Sequence, residues 1–434
     1  MNVDIVNAID RRALAGLFRG GWEPPPDVSA KVARIIADVR ARGDAALVEY
    51  TRRFDDPHYD ISRLRVPIPM FEGARALVPH EIVEALALAR ERVEKFHQRQ
   101  LHGDLEYTDE DGTQYALRYR PLDSVAAYVP GGTAALPSSV IMSVVPAKIA
   151  GVSRTIVLTP PQRDGRVAPA VIFACWLCDV DELYAVGGAQ AVAAAAYGTE
   201  SITRVDKIVG PGNMWVTEAK RQVYGACGVD GLAGPSEVLV VADESAKPLL
   251  VVGELLAQAE HDPMARVAVV SESRALLDAC AQELADIDVQ ALPRGDIIAS
   301  VLERNAYLIH ATKRKHVFRV IERFCPEHLS LQVQDPQEYL PHIRRAGAIF
   351  VGENTPVACG DYIAGTNHVL PTSGAARFSS GLHTDDFMRT FSVVCNSAQR
   401  MAEDAAMLVA LAEFEGLPQH ARTALMRKAD SGAV

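Results

Sequence analysis

The chain has 434 residues, too many for one ordinary hydrophobic core, so two or more domains are expected. Apolar residues make up 49% and charged residues 23%, the balance of a globular protein. The formal charge of −11 excludes the basic face that nucleic-acid binding demands, while suiting a small cationic substrate.

The N-terminal stretch MNVDIVNAIDRRALAGLF places Asp4 and Asp10 where a secretory signal would be apolar. No run approaches the roughly 18 apolar residues of a membrane helix. Seven scattered cysteines, an odd number, fit a reducing compartment. The expectation is a cytoplasmic protein that engages neither membrane nor nucleic acid.

In chain order, two strong helix patterns come first, SAKVARIIADVRARGDAALVEYTRRF and PHEIVEALALARERVEKFHQRQ. A hairpin follows in LEYTDEDGTQYALRYRP, turning at Asp111-Gly112. SVAAYVP, TIVLTPP, ELYAVG and KIVGPG then read as strands, separated by the helical runs SSVIMSVVPAKIAG, APAVIFACWLCDV and AQAVAAAAYG. A second series starts at GPSEVLVVAD and continues through ARVAVVSES, NAYLIH, HLSLQV and GAIFVG, with helices between. Alternation of this kind predicts two doubly wound α/β domains with parallel sheets, joined near Gly234. NTPVACGDYIAGTNHVLPTSGAARFSSG reads as a long functional loop, and the tail from Asn396 as helices broken at EGLPQH. Cys175 and Cys178 form a C-x-x-C inside an apolar helical run and are read as buried core thiols.

Ligands of doubly wound sheets gather at the carboxyl ends of strands, so polar residues at strand ends and loop tips are the candidates. These are Ser236-Glu237, Glu327-His328, Asp361, His368, Glu415 and His420. LLAQAEHDP adds Gln258 and His261, whose spacing of three places them on one helix face without matching the zincin motif. Such nitrogen and oxygen donors suit a catalytic zinc with an open position. An imidazole beside a carboxylate, as in Glu327-His328, suits a general base at neutral pH. Each of these histidines is more often an ordinary residue than a functional one. YVPGG and GPGN are either plain βα turns or backbone cradles for a phosphate, and no G-x-G-x-x-G is present.

Taken together, the motifs YVPGGTAALPSSVIM, VGGAQAVAA, VGPGN, LAGPSEVLVVAD, LLAQAEHDP, PEHL and GDYIAGTNHVLPT, in this order, resemble the histidinol dehydrogenase family. The resemblance runs from ARGDAALVEYTRRFD to EGLPQH, most of the chain. It implies a zinc- and NAD-dependent oxidation of L-histidinol to L-histidine through the aldehyde, in the last steps of histidine biosynthesis. One zinc per subunit would be held by Gln258, His261, Asp361 and His420. Glu327 and His328 would handle protons, and Tyr128, Gln190 and Asn213 would hold NAD. Ser236, Gln258, His261, His328, Asp361, Glu415 and His420 would meet the substrate, with His368 in second rank.

The implied architecture is two Rossmann-like domains plus terminal helical segments that help form a homodimer with shared active sites. Residues 1–26 would be an N-terminal segment, and residues 27–120 with 235–380 the domain carrying most of the metal site. Residues 121–234 would be the NAD domain and 381–434 the tail that completes the partner's site. The chain departs from the family at Val357, where glutamate is usual, and at Ala257, where serine is frequent. Neither is assigned chemistry. Competing readings are a same-fold dehydrogenase of another small polar alcohol, a zinc hydrolase using Glu327, and a non-catalytic binding protein.

Overall fold

The computed structural model describes residues 3–21, 23–131 and 135–430. The chain starts with β1 (Ile5–Asn7), α1 (Pro26–Arg42), α2 (Asp44–Phe54), α3 (Ile68–Ala74) and α4 (His80–His97). The hairpin β2 (Leu105–Thr108) and β3 (Gln114–Pro121) follows, turning through Gly112 at φ +80°. The first βα series is β4 (Ser124–Tyr128), α5 (Pro137–Ala150), β5 (Arg154–Thr159), α6 (Pro169–Leu177), β6 (Glu182–Ala185), α7 (Gly188–Tyr197), β7 (Lys207–Val209), α8 (Met214–Val223) and β8 (Gly228–Val229). The second is β9 (Glu237–Ala242), α9 (Pro248–Ala259), β10 (Arg266–Ser271), α10 (Arg274–Asp286), α11 (Gly295–Arg304), β11 (Ala306–His310), α12 (Arg314–Phe324), β12 (His328–Gln332), β13 (Ala348–Val351) and α13 (Val357–Tyr362). The chain closes with β14 (Met388–Cys395), α14 (Ala398–Phe414) and α15 (Pro418–Asp430).

Each series forms a parallel sheet. The smaller has strand order β6-β5-β4-β7-β8 and the larger β1-β11-β10-β9-β12-β13. From its own first strand, each runs outward on one side and then reverses, as doubly wound sheets do. The switch points lie between β4 and β7 and between β9 and β12. Side chains of β9 alternate between two cores: Val238 and Val240 pack with α9 residues, Leu239 and Val241 with α12 residues. Both faces are covered, which explains why EVLVVA is apolar without alternation after its first residue. Helices α1, α3 and α4 pack on the helices of the smaller sheet, α1 against α7 and α8, α3 against α6, and α4 against α5.

The chain divides into two compact units. Met1–Gln100 with Leu122–Phe387 carries both parallel sheets; Leu101–Pro121 with Met388–Val434 is the antiparallel sheet β14-β3-β2 with α14 and α15.

Several expectations need correction. The helix of LLAQAEHDP ends at Ala259, so His261 lies in the turn beyond it, its N–H bonded to the Gln258 carbonyl at 3.3 Å. The loop after Gly352 holds the short helix α13. Strands β1 and β14 went unpredicted: each is an edge strand with no buried run of its own. The reading of Cys175 and Cys178 as core thiols holds: both are buried, and burial pushes the Cys178 thiol up to about 12, so neither is a ready thiolate.

One glycine is required by the close approach of two strand ends. Gly210, just after β7, has φ +103°, and a Cβ there would collide with the Tyr128 carbonyl. Gly210→Ala is expected to cost ~2 kcal/mol or more, read as a lower denaturation midpoint. An unchanged midpoint would show that the β4 end yields freely.

Candidate active site

The expected placement at carboxyl strand ends fails for the larger sheet. Ser236 and Glu237 open β9, Glu327 and His328 open β12, and α9 returns to the same edge, carrying Gln258 in its last turn and leading into His261. The candidate acid–base group therefore lies at the amino edge of the larger sheet, beside its switch point.

One residue organises the acid–base pair. The Glu237 N–H donates to Glu327 Oε2 at 2.9 Å, and the Glu237 carbonyl lies 3.0 Å from His328 Nδ1. A carbonyl can only accept, so Nδ1 carries the proton and Nε2 is left as the free base. Nε2 faces Asp361 Oδ1 at 3.9 Å. Burial pushes the His328 pKa below its usual value against the pull of Asp361, with the imidazoles of His261 and His368 lowering it further. The ring is thus neutral at neutral pH. Burial pushes the Glu327 carboxyl well above the usual range, and the charges of Glu237 and Asp361 add to this. A carboxylate so raised is a stronger base than an exposed one.

The Glu237 side chain is fully buried. One oxygen pairs with Arg266 and accepts from the Ser373 N–H, while the other has no partner among the described residues. Burial raises its pKa to about 7 despite Arg266. Arg266 in turn donates to the carbonyls of Leu17 and Arg19 at 3.0 and 2.6 Å, tying the N-terminal segment to the site. Sequence reasoning placed Glu237 among the polar residues at strand ends but gave it no role, and it passed over Arg266. An acid opening a strand that is apolar and buried throughout was the available signal, because such acids are almost never buried unpaired.

Gln258 is only 4% exposed, and its amide makes no side-chain hydrogen bond among the described residues. With the exposed His261 imidazole, in the turn after α9, and the Asp361 carboxylate, it would make a mixed nitrogen and oxygen set of the kind that suits a borderline ion such as zinc. Among the described residues no three His, Cys, Asp or Glu side chains converge on their own. The set has two such residues and an amide, so it needs a further ligand. Glu415, at the end of α14, and His420, in α15, belong to the other unit and are exposed.

The other candidates lie at the carboxyl edge of the smaller sheet. Tyr128 ends β4, and its buried hydroxyl accepts from the Gly188 N–H at 3.0 Å. Gln190 is buried in the first turn of α7, with its amide nitrogen unpartnered among the described residues. Asn213 caps α8 by accepting from the N–H groups of Trp215 and Val216, which leaves its amide nitrogen for a ligand. Between the ends of β4 and β5, Pro130, Gly131, Thr159, Pro160 and Gln162 line a small hollow with room for about one water. Unpartnered amide donors at the carboxyl edge of a doubly wound sheet are the kind of group that a dinucleotide would meet there. A buried pair braces the loop before Asn213: the Gly210 N–H donates to Asp230 at 2.7 Å, Lys220 donates to the Gly210 carbonyl at 3.0 Å, and Lys220 pairs with Asp230.

His368 joins the two edges. Its Nδ1 donates to the Asp361 carbonyl at 2.9 Å, and its Nε2 accepts from Ser139 Oγ at 3.3 Å, in the first turn of α5. Next to it, Asn367 donates to the Met142 carbonyl at 2.7 Å. The amino edge of one sheet thus meets the carboxyl edge of the other.

The histidinol dehydrogenase family model matches residues 23–428. The chain belongs to the histidinol dehydrogenase family. It is an oxidoreductase of that family, 45% identical over 409 residues to the histidinol dehydrogenase of Rhodospirillum rubrum, covering 94% of each chain. The histidinol dehydrogenase of Pseudomonas aeruginosa is 45% identical over 412 residues, covering 94% of this chain and 93% of its own. The crystal structure of histidinol dehydrogenase from Elizabethkingia anophelis superposes with a TM-score of 0.93 at 31% identity, covering 100% of this chain and 99% of that one. Among the described residues, no helix is long and apolar enough to cross a membrane.

Proposed function

We propose that this chain oxidises L-histidinol to L-histidine through the aldehyde, using zinc and two NAD molecules in turn. The observation that carries the reading is the buried pair Glu327–His328, with Gln258, His261 and Asp361 on the same edge and the carboxyl edge of the smaller sheet joined to it through His368. Membership of the family supports the substrate assignment.

When bound, the metal supplies a Lewis acid and a template, and the dinucleotide a hydride acceptor. Gln258, His261 and Asp361 hold the metal with His420 of the partner subunit, and Tyr128, Gln190 and Asn213 hold the dinucleotide. Ser236, directly before the start of β9, would meet the substrate's polar groups, and the partner subunit's Glu415 would accept from its imidazole. His328 Nε2 takes the hydroxyl proton as hydride leaves the same carbon, giving the aldehyde. Glu327 then takes one proton from the water that attacks the aldehyde carbon, the hydrate anion so formed passes its hydride to the second NAD to leave the carboxylic acid, and that acid ionises to the carboxylate. Burial of both groups keeps bulk water from the aldehyde between the steps.

A homodimer in which each tail completes the other's site is part of the same reading. Met407, Leu411 and Phe414 on α14 and Leu417 after it are exposed, Phe414 by 92%, and they share their unit with Glu415 and His420. Apolar surface of that extent supports a protein partner there. The free thiols of all seven cysteines support a cytoplasmic setting.

The test is absorbance of NADH formed from NAD and L-histidinol, before and after chelation and with zinc restored. NADH should appear at two per histidinol, vanish with chelation and return with zinc. Absence of NADH from zinc-loaded protein would overturn the reading, and turnover of another alcohol in its place would favour the same-fold dehydrogenase.

A further inference from the structure

We propose that Glu254 is the positioning residue that sets Gln258 and His261 against Asp361, and so tunes the affinity of the site for a divalent metal ion. The inference rests on the zinc reading above.

Glu254 lies four residues before Gln258 on α9, so the two side chains occupy one face, and both are buried. Glu254 Oε2 accepts from the Val357 N–H at 3.1 Å. Val357 is the first residue of α13, and its N–H is one of those that a helix leaves without an internal partner. Asp361 stands one turn further along the same helix. A helix of this length does not hold its own orientation and takes it from its contacts.

Three contacts fix α13. Gly360 packs directly against the Phe350 ring of β13, where a Cβ would collide. The Asp361 carbonyl accepts from His368 Nδ1. The third is Glu254, whose hydrogen bond adds to the packing of Val357 in the core that α9 also lines, and it comes from the helix that carries Gln258 and leads into His261. Removing it frees the spacing between the two halves of the donor set while leaving every proposed ligand in place. Glu254 itself acts through the Val357 N–H rather than on the metal. An uncharged acceptor of the same reach should therefore serve, which separates positioning from charge.

The experiment measures zinc affinity of the full-length protein by competition with a chromophoric chelator, and the visible spectrum of the cobalt-loaded protein. Glu254→Leu is expected to weaken zinc binding by ~10–100-fold and to shift the cobalt bands, with Glu254→Gln restoring most of the affinity. Val357→Pro removes the same hydrogen bond from the other side, at a helix position that tolerates proline, and should weaken zinc binding alike. It keeps the test open should the leucine variant fail to fold. Wild-type zinc affinity and cobalt spectrum in folded Glu254→Leu or Val357→Pro protein would overturn the inference. A wild-type protein that binds no zinc, or binds it equally well after Gln258→Ala and His261→Ala, would instead sink the zinc reading beneath it.

Discussion

His328→Asn is expected to lower turnover by about 10²–10⁴-fold while metal content and the midpoint of unfolding stay near wild type. The asparagine amide can still donate to the Glu237 carbonyl in place of Nδ1–H, so the buried acceptor keeps its partner, and only the base at Nε2 is lost. Turnover within tenfold of wild type would remove His328 as the base. Loss of metal with the substitution would make it a ligand instead. Coexpression with His420→Asn extends the test to the shared site. If the partner subunit's His420 completes each site, a mixed dimer regains one intact site, and the mixture should recover roughly a quarter of wild-type activity. No recovery would place both residues in one subunit's site.

Lys220→Met is expected to destabilise the protein by ~3–5 kcal/mol, because it leaves the buried Asp230 carboxylate without its counter-charge. The measurement is the chemical denaturation midpoint. The double variant Lys220→Met with Asp230→Asn should recover more than half of that loss, since the asparagine oxygen still accepts from the Gly210 N–H and no charge stays buried. A double variant as unstable as the single would show that packing rather than charge sets the cost. Both variants lose the grip on the Gly210 carbonyl, so the KM for NAD should rise while that for histidinol holds.

The wrong placement of the acid–base group shows what a general fold rule leaves out. Ligands at carboxyl strand ends describe one doubly wound sheet by itself, and the rule suits Tyr128 and the Gly210 loop of the smaller sheet. Here the second sheet presents its opposite edge to the first, and His368 and Asn367 bridge them through Ser139 and Met142. No periodicity within either series carries that mutual orientation.

The roles of Glu237 and Glu254 were hidden for a different reason. Each looks like an isolated acid in an apolar run, and each works through the backbone: Glu237 through its own N–H and carbonyl, Glu254 through the N–H of Val357. Main-chain donors and acceptors are the same at every residue, so no residue type announces them. His261 was misread at the local level, as the last turn of a helix when it belongs to the turn after it. A helix end of this kind, with no glycine to mark it, is poorly defined by sequence.

By itself the sequence determined the fold class and most of the elements. Strand runs buried on both faces and helices of period 3.6 are local patterns of apolar residues, and they sufficed for two parallel sheets and for the motifs that point to histidinol dehydrogenases. Only the tertiary structure decided which edge of each sheet carries the chemistry, which nitrogen of His328 is the free base, and which buried acids hold the site in place. Those depend on hydrogen bonds between residues some 90 to more than 200 positions apart, such as Glu237 with His328 and Ser139 with His368, and such distances are closed only by folding.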